Sequence, residues 1–322
     1  MRGWILFPTL LLLVLLGLAV SLSSGSVAIS PLQVWHSLWG EAGGLEQQII
    51  LELRLPRSLA AFAVGGLLTL AGALMQVLLR NPLADPYVLG VSGGAAVAAL
   101  LAMLAGLSGL LLQGAAFGGA LAATLLVFTL SHGHGQWTTQ RLLLTGVVLA
   151  AGWGAAISFL LAVAPSSRLP GMLFWLMGDL SPAGRPYWAL GLLLFGLLLA
   201  LPLGRSLNIL ARGELQAQAL GIEQTRLRML IYVLASLYTA GAVTLAGSVG
   251  FVGLVVPHLT RLLIGSDHRI LLPAATLLGG SLLLFADTLA RTLIAPQQLP
   301  VGVLTALIGV PVFLVLLQRG RM

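Results

Sequence analysis

Long apolar stretches recur along the whole chain, and polar residues are confined to short breaks between them. A bilayer core needs about 20 helical residues per crossing. Ten stretches of roughly that length can be assigned, and each predicts one membrane span. They cover residues 5 to 24, 58 to 79, 87 to 107, 110 to 130, 141 to 163, 187 to 204, 229 to 247, 249 to 265, 271 to 291 and 299 to 318.

These stretches are continuously apolar, whereas the strands of a membrane barrel alternate apolar and polar residues. The pattern predicts an all-α polytopic membrane protein in which residues 1 to 322 form a single transmembrane domain. The first stretch is interpreted as a span. A cleaved signal peptide is the alternative, because small residues follow at Ser21 to Ser26.

The composition indicates that most of the chain is surrounded by lipid, since 58% of the residues are hydrophobic and 8% are charged. All 16 basic residues are arginine. A P-loop needs a lysine to reach the phosphates, so this sequence excludes an ATP-hydrolysing site of that type. Cysteine is absent, which excludes disulfides and thiolate metal sites.

The arginines also predict an orientation for the spans. With the N-terminus in the cytoplasm, ten spans return the C-terminus there, and eleven arginines fall on the inner side against five outside. This distribution follows the positive-inside rule. The net charge of +7 is therefore attributed to membrane topology and not to nucleic-acid binding.

The longest polar break, residues 205 to 228, lies on the predicted cytoplasmic side. Glu214, Ala217 and Leu220 have helical spacing, and Gly221 is positioned to end a short helix. The segment is interpreted as a cytoplasmic coupling segment that docks a partner. A solvated amphipathic loop is the alternative.

An internal repeat relates the second and seventh spans. The tetrapeptide Thr-Leu-Ala-Gly occurs at 69 to 72 and again at 244 to 247, and Pro82 recurs at the same offset as Pro257. Under the predicted topology the two copies run in opposite directions. Inverted repeats typically place a transport pathway at their interface.

Other patterns suggest chemistry that their context does not favour. Residues 90 to 94 fit the Gly-x-Ser-x-Gly pattern of hydrolases, with His258 further along, but the hydrolase elbow needs a preceding strand. His132 and His134 lie in a glycine-rich loop without a nearby carboxylate, so no metal site is predicted. Asp287 and Arg291 are four residues apart and can pair on one helix.

Taken together, these motifs resemble the FecCD-type permease family of type II ABC importers, which carry ferric siderophores, cobalamin and haem. The resemblance extends over nearly the whole chain. Its most specific pieces are residues 53 to 57 (LRLPR), 72 to 76 (GALMQ), 80 to 86 (RNPLADP), 89 to 95 (LGVSGGA), 141 to 146 (RLLLTG), 174 to 178 (FWLMG), 213 to 221 (GELQAQALG) and 250 to 258 (GFVGLVVPH).

The resemblance implies a non-catalytic permease of a bacterial inner membrane, working as a homodimer surrounded by lipid. Two ATPase subunits, which hold ATP and Mg²⁺, would bind on the cytoplasmic side. One periplasmic binding protein would deliver the substrate. No cofactor is expected on this chain.

The resemblance also implies roles for particular residues. Arg54, Arg57 and Arg291 match positions that face acidic residues of the binding protein. Asn81, Leu83, Thr139 and Gln140 match the cytoplasmic gate, and Glu214, Ala217, Leu220 and Gly221 match the helices that couple to the ATPase.

The leading expectation for the substrate is a ferric siderophore, with cobalamin or haem as alternatives. An ion-coupled secondary transporter is the alternative from a different class. Such a transporter usually binds its ion at an acidic residue within the bilayer, and Asp287 is the main candidate. An intramembrane serine protease is a third reading.

Overall fold

The computed structural model describes residues 3–40, 44–132, 138–181 and 186–318. All regular structure within those ranges is helical. The α-helices are α1 (Gly3–Ser23), α2 (Pro31–Leu38), α3 (Leu45–Gln48), α4 (Leu55–Leu78), α5 (Val91–Leu104), α6 (Gly109–Ser131), α7 (Thr139–Val163), α8 (Leu169–Met177), α9 (Tyr187–Ala200), α10 (Gly204–Ala211), α11 (Glu214–Ala219), α12 (Gln224–Ala246), α13 (Val252–Ile264), α14 (His268–Thr292) and α15 (Val301–Gln318).

Each of the ten predicted spans corresponds to an apolar helix, which confirms the all-α fold class. Within the described ranges, seven continuous helical segments are long and apolar enough to cross a bilayer. The apolar parts of α5, α13 and α15 are shorter. The fold is therefore a bundle of long spans into which shorter helices are packed.

The second span begins earlier than its hydrophobic pattern predicts. A π-helical turn, Ile49–Arg54, joins α3 to α4, so one continuous helix runs from Leu45 to Leu78. Pro56 lies at the junction of this turn with α4. Arg54 and Arg57 therefore lie on a helix and not in a loop.

Helix α4 lies at the centre of the bundle and is buried along most of its length. Its glycines permit close backbone contacts with neighbouring helices. A Cβ added to Gly72 would lie 1.8 Å from the carbonyl oxygen of Gly253, and one added to Gly65 would lie 2.2 Å from that of Gly279. Small residues at such crossings let helices approach closely in lipid.

The two copies of the repeat, in α4 and α12, lie side by side and antiparallel. Leu67 contacts Gly241 in the middle of both helices, while Leu78 at the end of α4 lies near Arg228 at the start of α12. The copies differ locally. Gly72 lies inside α4, whereas Gly247 ends α12 with a φ of 64° against the carbonyl of Trp175.

The short helices α5 and α13 each follow one copy of the repeat, and their N-terminal ends are joined by hydrogen bonds. The Tyr87 hydroxyl bonds both the N–H and the carbonyl of Val249, each at 3.1 Å. Ser92 Oγ donates to Ser248 Oγ at 3.2 Å, and His258 has no hydrogen-bond partner in the described structure. The serine and histidine of the hydrolase-like pattern therefore do not form a catalytic pair.

Candidate functional site

Asp287 on α14 is the centre of an ionic cluster at the end of the bundle where α4 begins. Its carboxylate is fully buried. Arg57 contacts both carboxylate oxygens, with Nη2 at 2.8 Å and Nε at 3.0 and 3.1 Å. Arg291 Nε lies 3.1 Å from Oδ2. We call Arg54, Arg57, Asp287 and Arg291 the Asp287 cluster.

Two of the three arginines in this cluster tie α1 to the rest of the bundle. Arg291 Nη2 donates to Ser21 Oγ at 2.8 Å. Arg54 donates to the carbonyl of Leu22 at 2.6 Å and also to that of Val27. Their exposed fractions are 5% for Arg54 and 8% for Arg291. Both side chains therefore have local structural partners.

Arg57 is the member of the cluster whose guanidinium reaches toward the surface. Its Nη1 donates to Ser181 Oγ at 3.0 Å and to Gln298 Oε1 at 2.7 Å. Both acceptors are neutral, so an incoming carboxylate can compete with them. The local pairing of Asp287 with Arg291 is present, while docking by the three arginines stays a prediction.

A second ionic group lies at the opposite end of α4, which we call the coupling end. Glu214, the first residue of α11, pairs with Arg80 and Arg228. The hydrogen bond from Arg228 is the main reason why the pKa of Glu214 is lowered from its ordinary value, and both positive charges act in the same direction. This carboxylate ties α11 to α4 and α12.

Helix α11 presents apolar side chains to its surroundings at this end. Leu215 is 84% exposed and Leu220 is 65% exposed, whereas Ala217 is buried against the bundle. Gly221 has a φ of 73°, and the Ile222 N–H bonds the carbonyl of Ala217 to close the turn. The predicted helical spacing and the terminating glycine are both present. Leu215 and Leu220 are thus left uncovered by the rest of the chain at this end.

The predicted gate residues lie near the same end. The Asn81 Oδ1 accepts from the Leu83 N–H at 2.9 Å, which forms a tight turn directly after α4. Thr139 borders a small cleft with Leu78 and Arg228, and Gln140 is exposed. Thr139 is thus brought close to the end of α4, and the gating role of all four residues stays a prediction.

Several interacting residues were not identified from the sequence. The positive charges of Arg80 and Arg228 are the available sequence signal for their contacts with Glu214, and no local spacing indicates these pairs. Asp85 accepts from the Tyr87 N–H at 2.7 Å at the start of the short turn before α5.

The predicted histidine turn is only partly described. His134 lies outside the described residues, and His132 Nδ1 lies 3.2 Å from the carbonyl oxygen of Phe128. Within the described ranges, no group of three or more His, Cys, Asp or Glu side chains is arranged to hold a metal ion.

Comparison with known proteins agrees with this arrangement of helices. Residues 11–319 match the FecCD transport family. The chain belongs to the FecCD transport family. It is therefore a permease of the type II ABC importer class, as its motifs indicate, and the secondary-transporter and protease readings are not supported.

Three similar proteins illustrate the relationship. The hemin transport system permease protein HmuU of Yersinia pestis is 42% identical over 330 residues, covering 97% of this chain and 94% of that protein. The vitamin B12 import system permease protein BtuC of Klebsiella pneumoniae is 40% identical over 324 residues, covering 99% and 95%. A solved metal-chelate type ABC transporter in an inward-facing conformation has a TM-score of 0.85 at 33% identity, covering 98% of this chain and 99% of that one.

The contacts of Asp287 also argue against a site for a coupling ion. Two guanidinium groups already neutralise its carboxylate, so a transported cation would have to displace an arginine. An ABC permease takes its driving force from an ATPase subunit and receives substrate from a binding protein. The two ends of α4 are the places where such partners can act.

Proposed function

We propose that this chain imports a metal chelate across a bacterial inner membrane, as the permease subunit of a complex with a separate ATPase. The observation that carries the proposal is α11, a short helix with exposed Leu215 and Leu220 that is fastened to α4 by the Glu214 to Arg80 pair. A force applied to α11 is thereby transmitted to the central helix of the bundle.

The ATPase supplies the chemistry in this scheme. The permease sequence has no lysine and hence no P-loop, so ATP and Mg²⁺ are bound by the partner, and this chain needs no cofactor. Residues 205 to 228 act as the coupling segment, with Leu215 and Leu220 in contact with the ATPase. Glu214, Ala217 and Gly221 give the segment its shape.

The permease acts as a homodimer with both termini in the cytoplasm. Support comes from α7, a span of which only Leu142, Gly146 and Leu160 are buried within one copy. A second copy and lipid would cover the remainder. Asn81, Leu83, Thr139 and Gln140 would then form the cytoplasmic gate near the coupling end.

The periplasmic binding protein docks at the Asp287 cluster. Arg57 and Arg291 share one carboxylate there and Arg54 adds a third guanidinium, so the cluster carries excess positive charge that an acidic surface complements. Arg57 makes the direct contact because its Nη1 has only neutral partners. Arg54 and Arg291 contribute charge and hold the surface in place.

A ferric chelate is the first candidate substrate, with haem and cobalamin next. The names of the hemin and vitamin B12 permeases support this class. The test is uptake by proteoliposomes that contain this chain, its ATPase and its binding protein. ATP-dependent accumulation of one of these chelates is expected. Accumulation that is independent of ATP but driven by an ion gradient would contradict the proposal.

A further inference from the structure

A cavity of about 620 Å³ opens at the coupling end, and its lining includes the predicted gate residue Asn81. It is enclosed by the end of α4, by α10, and by the connection from α13 to α14. Its volume lies within the range of small-molecule pockets, which span about 300 to 1,000 Å³. Its polar wall includes Gln76, Arg80, Asn208, Arg212, Arg261 and His268.

The cavity wall is positively charged. It contains three arginines and one carboxylate, that of Asp267. This carboxylate is already engaged, because it accepts from Asn208 Nδ2 at 2.8 Å and from the Arg269 N–H at 3.1 Å. It is therefore not available to neutralise the guanidinium groups across the cavity.

Two of the three arginines retain free donors. Arg261 uses Nη2 to bond Gln76 Oε1 at 3.0 Å and has no ion-pair partner within the described structure. Arg212 has no hydrogen-bond or ion-pair partner among the described residues. Planar guanidinium groups with unused donors are suited to oxyanions, which they can bind through two parallel hydrogen bonds.

His268 adds a buried polar group to the same wall. The ring is 2% exposed, and its Nδ1 lies 2.7 Å from Asn208 Oδ1. The orientation of the Asn208 amide follows from its bond to Asp267, so the histidine Nδ1 carries the hydrogen. Its Nε2 is then an acceptor without a partner in the described structure, and it is enclosed by protein atoms and does not open to the cavity.

We infer that this cavity binds a tetrahedral inorganic oxyanion, phosphate or sulfate, held by Arg212 and Arg261. The unused N–H donors of the two guanidinium groups can form hydrogen bonds to the oxygens of such an anion. The phosphate headgroup of a lipid presents the same oxygens, so the test below distinguishes the two sources.

Occupancy of this site would affect coupling, because Arg80 belongs to the cavity wall and also holds Glu214 of α11. A bound phosphate competes with Glu214 for that guanidinium. Binding then loosens the connection between α11 and α4. The expected effect on α11 rests on the proposed coupling role, whereas the existence of the site does not depend on that role.

The test measures the thermal unfolding midpoint of the whole chain in phosphatidylcholine nanodiscs as inorganic phosphate is added at constant ionic strength. Phosphate is expected to raise the midpoint, with sulfate similarly effective and chloride at the same ionic strength without effect. Arg212→Gln and Arg261→Gln should each raise the half-saturating phosphate concentration about tenfold, the usual effect of losing a charge-assisted hydrogen bond. Arg226→Gln is the matched control, because Arg226 is exposed and pairs only with Glu223.

Three outcomes would overturn the inference. The first is an unchanged half-saturating concentration in Arg212→Gln, a surface variant expected to fold normally. The second is loss of the phosphate response when phosphatidylglycerol replaces phosphatidylcholine, which would identify a lipid headgroup as the occupant. The third is a response that appears only when the ATPase is added. Binding with unaltered ATPase coupling would retain the site and remove only its proposed effect on α11.

Discussion

The Asp287 cluster shows how buried charges set the roles of individual arginines. A buried carboxylate is costly unless its partners and hydrogen bonds satisfy it, and here Arg57 and Arg291 do so from two helices. The pairing of Asp287 with Arg291 could be predicted because they are four residues apart. The contact with Arg57 spans 230 positions of sequence, so no local pattern could indicate it.

This arrangement gives Arg54 and Arg57 different expected phenotypes. Arg57→Gln should slow association of the binding protein several-fold at low salt and weaken its salt dependence. It should also lower the free energy of unfolding, because it leaves the buried Asp287 carboxylate with one guanidinium partner. Arg54→Gln should lower the free energy of unfolding by about 1.5 to 3 kcal/mol, because its guanidinium holds two backbone carbonyls.

Both variants are measured by association kinetics at two salt concentrations and by thermal unfolding of the reconstituted permease. Arg54→Gln is the control, because it also destabilises the fold but should leave association unchanged. Wild-type association kinetics in Arg57→Gln, with insertion verified, would remove Arg57 from the docking surface.

At the scale of helices, the apolar pattern predicts which segments span the membrane more accurately than it predicts their ends. The second span shows the reason. Glu52 and Arg54 look like loop residues in sequence, yet a π-helical turn continues the helix through them because Arg54 finds buried carbonyl partners. Polarity alone cannot distinguish a loop from a helix whose charges are satisfied by distant groups.

The close crossing of α4 with α13 can be tested with a pair of glycines. Gly72→Ala is expected to destabilise the fold by about 1 to 3 kcal/mol or more, because its Cβ would meet a backbone oxygen at 1.8 Å. Gly114→Ala on α6 is the control, since no heavy atom lies within 4 Å of its added Cβ. Denaturant unfolding of both variants provides the measurement, and equal stabilities would contradict the crossing.

At the scale of the whole molecule, α4 connects the two candidate partner surfaces. Arg57 lies in its first turn within the Asp287 cluster, and Arg80 lies just beyond its last residue in contact with Glu214. The family could be predicted from motifs in the sequence, and so could the short helix α11 with the glycine that follows it. The contacts of Arg57 with Asp287 and of Arg80 with Glu214 could not, because each joins residues that are remote in the chain.

Residues of the coupling segment differ in whether they are buried in the permease or exposed to a partner. Ala217 is buried, so a bulky substitution there would disturb the permease itself and report little about its partner. Leu215 is the most exposed apolar side chain of α11 and makes the sharper probe.

The most direct test of the permease assignment is co-purification of the ATPase with Leu215→Glu, together with ATP-dependent chelate uptake. Gln218→Glu, an exposed change on the same helix, is the control for added charge. If α11 couples this permease to its ATPase, Leu215→Glu inserts and unfolds like the wild type but loses at least about tenfold in ATPase recovery, as expected for an apolar interface anchor. Undiminished co-purification and uptake in Leu215→Glu would contradict the account.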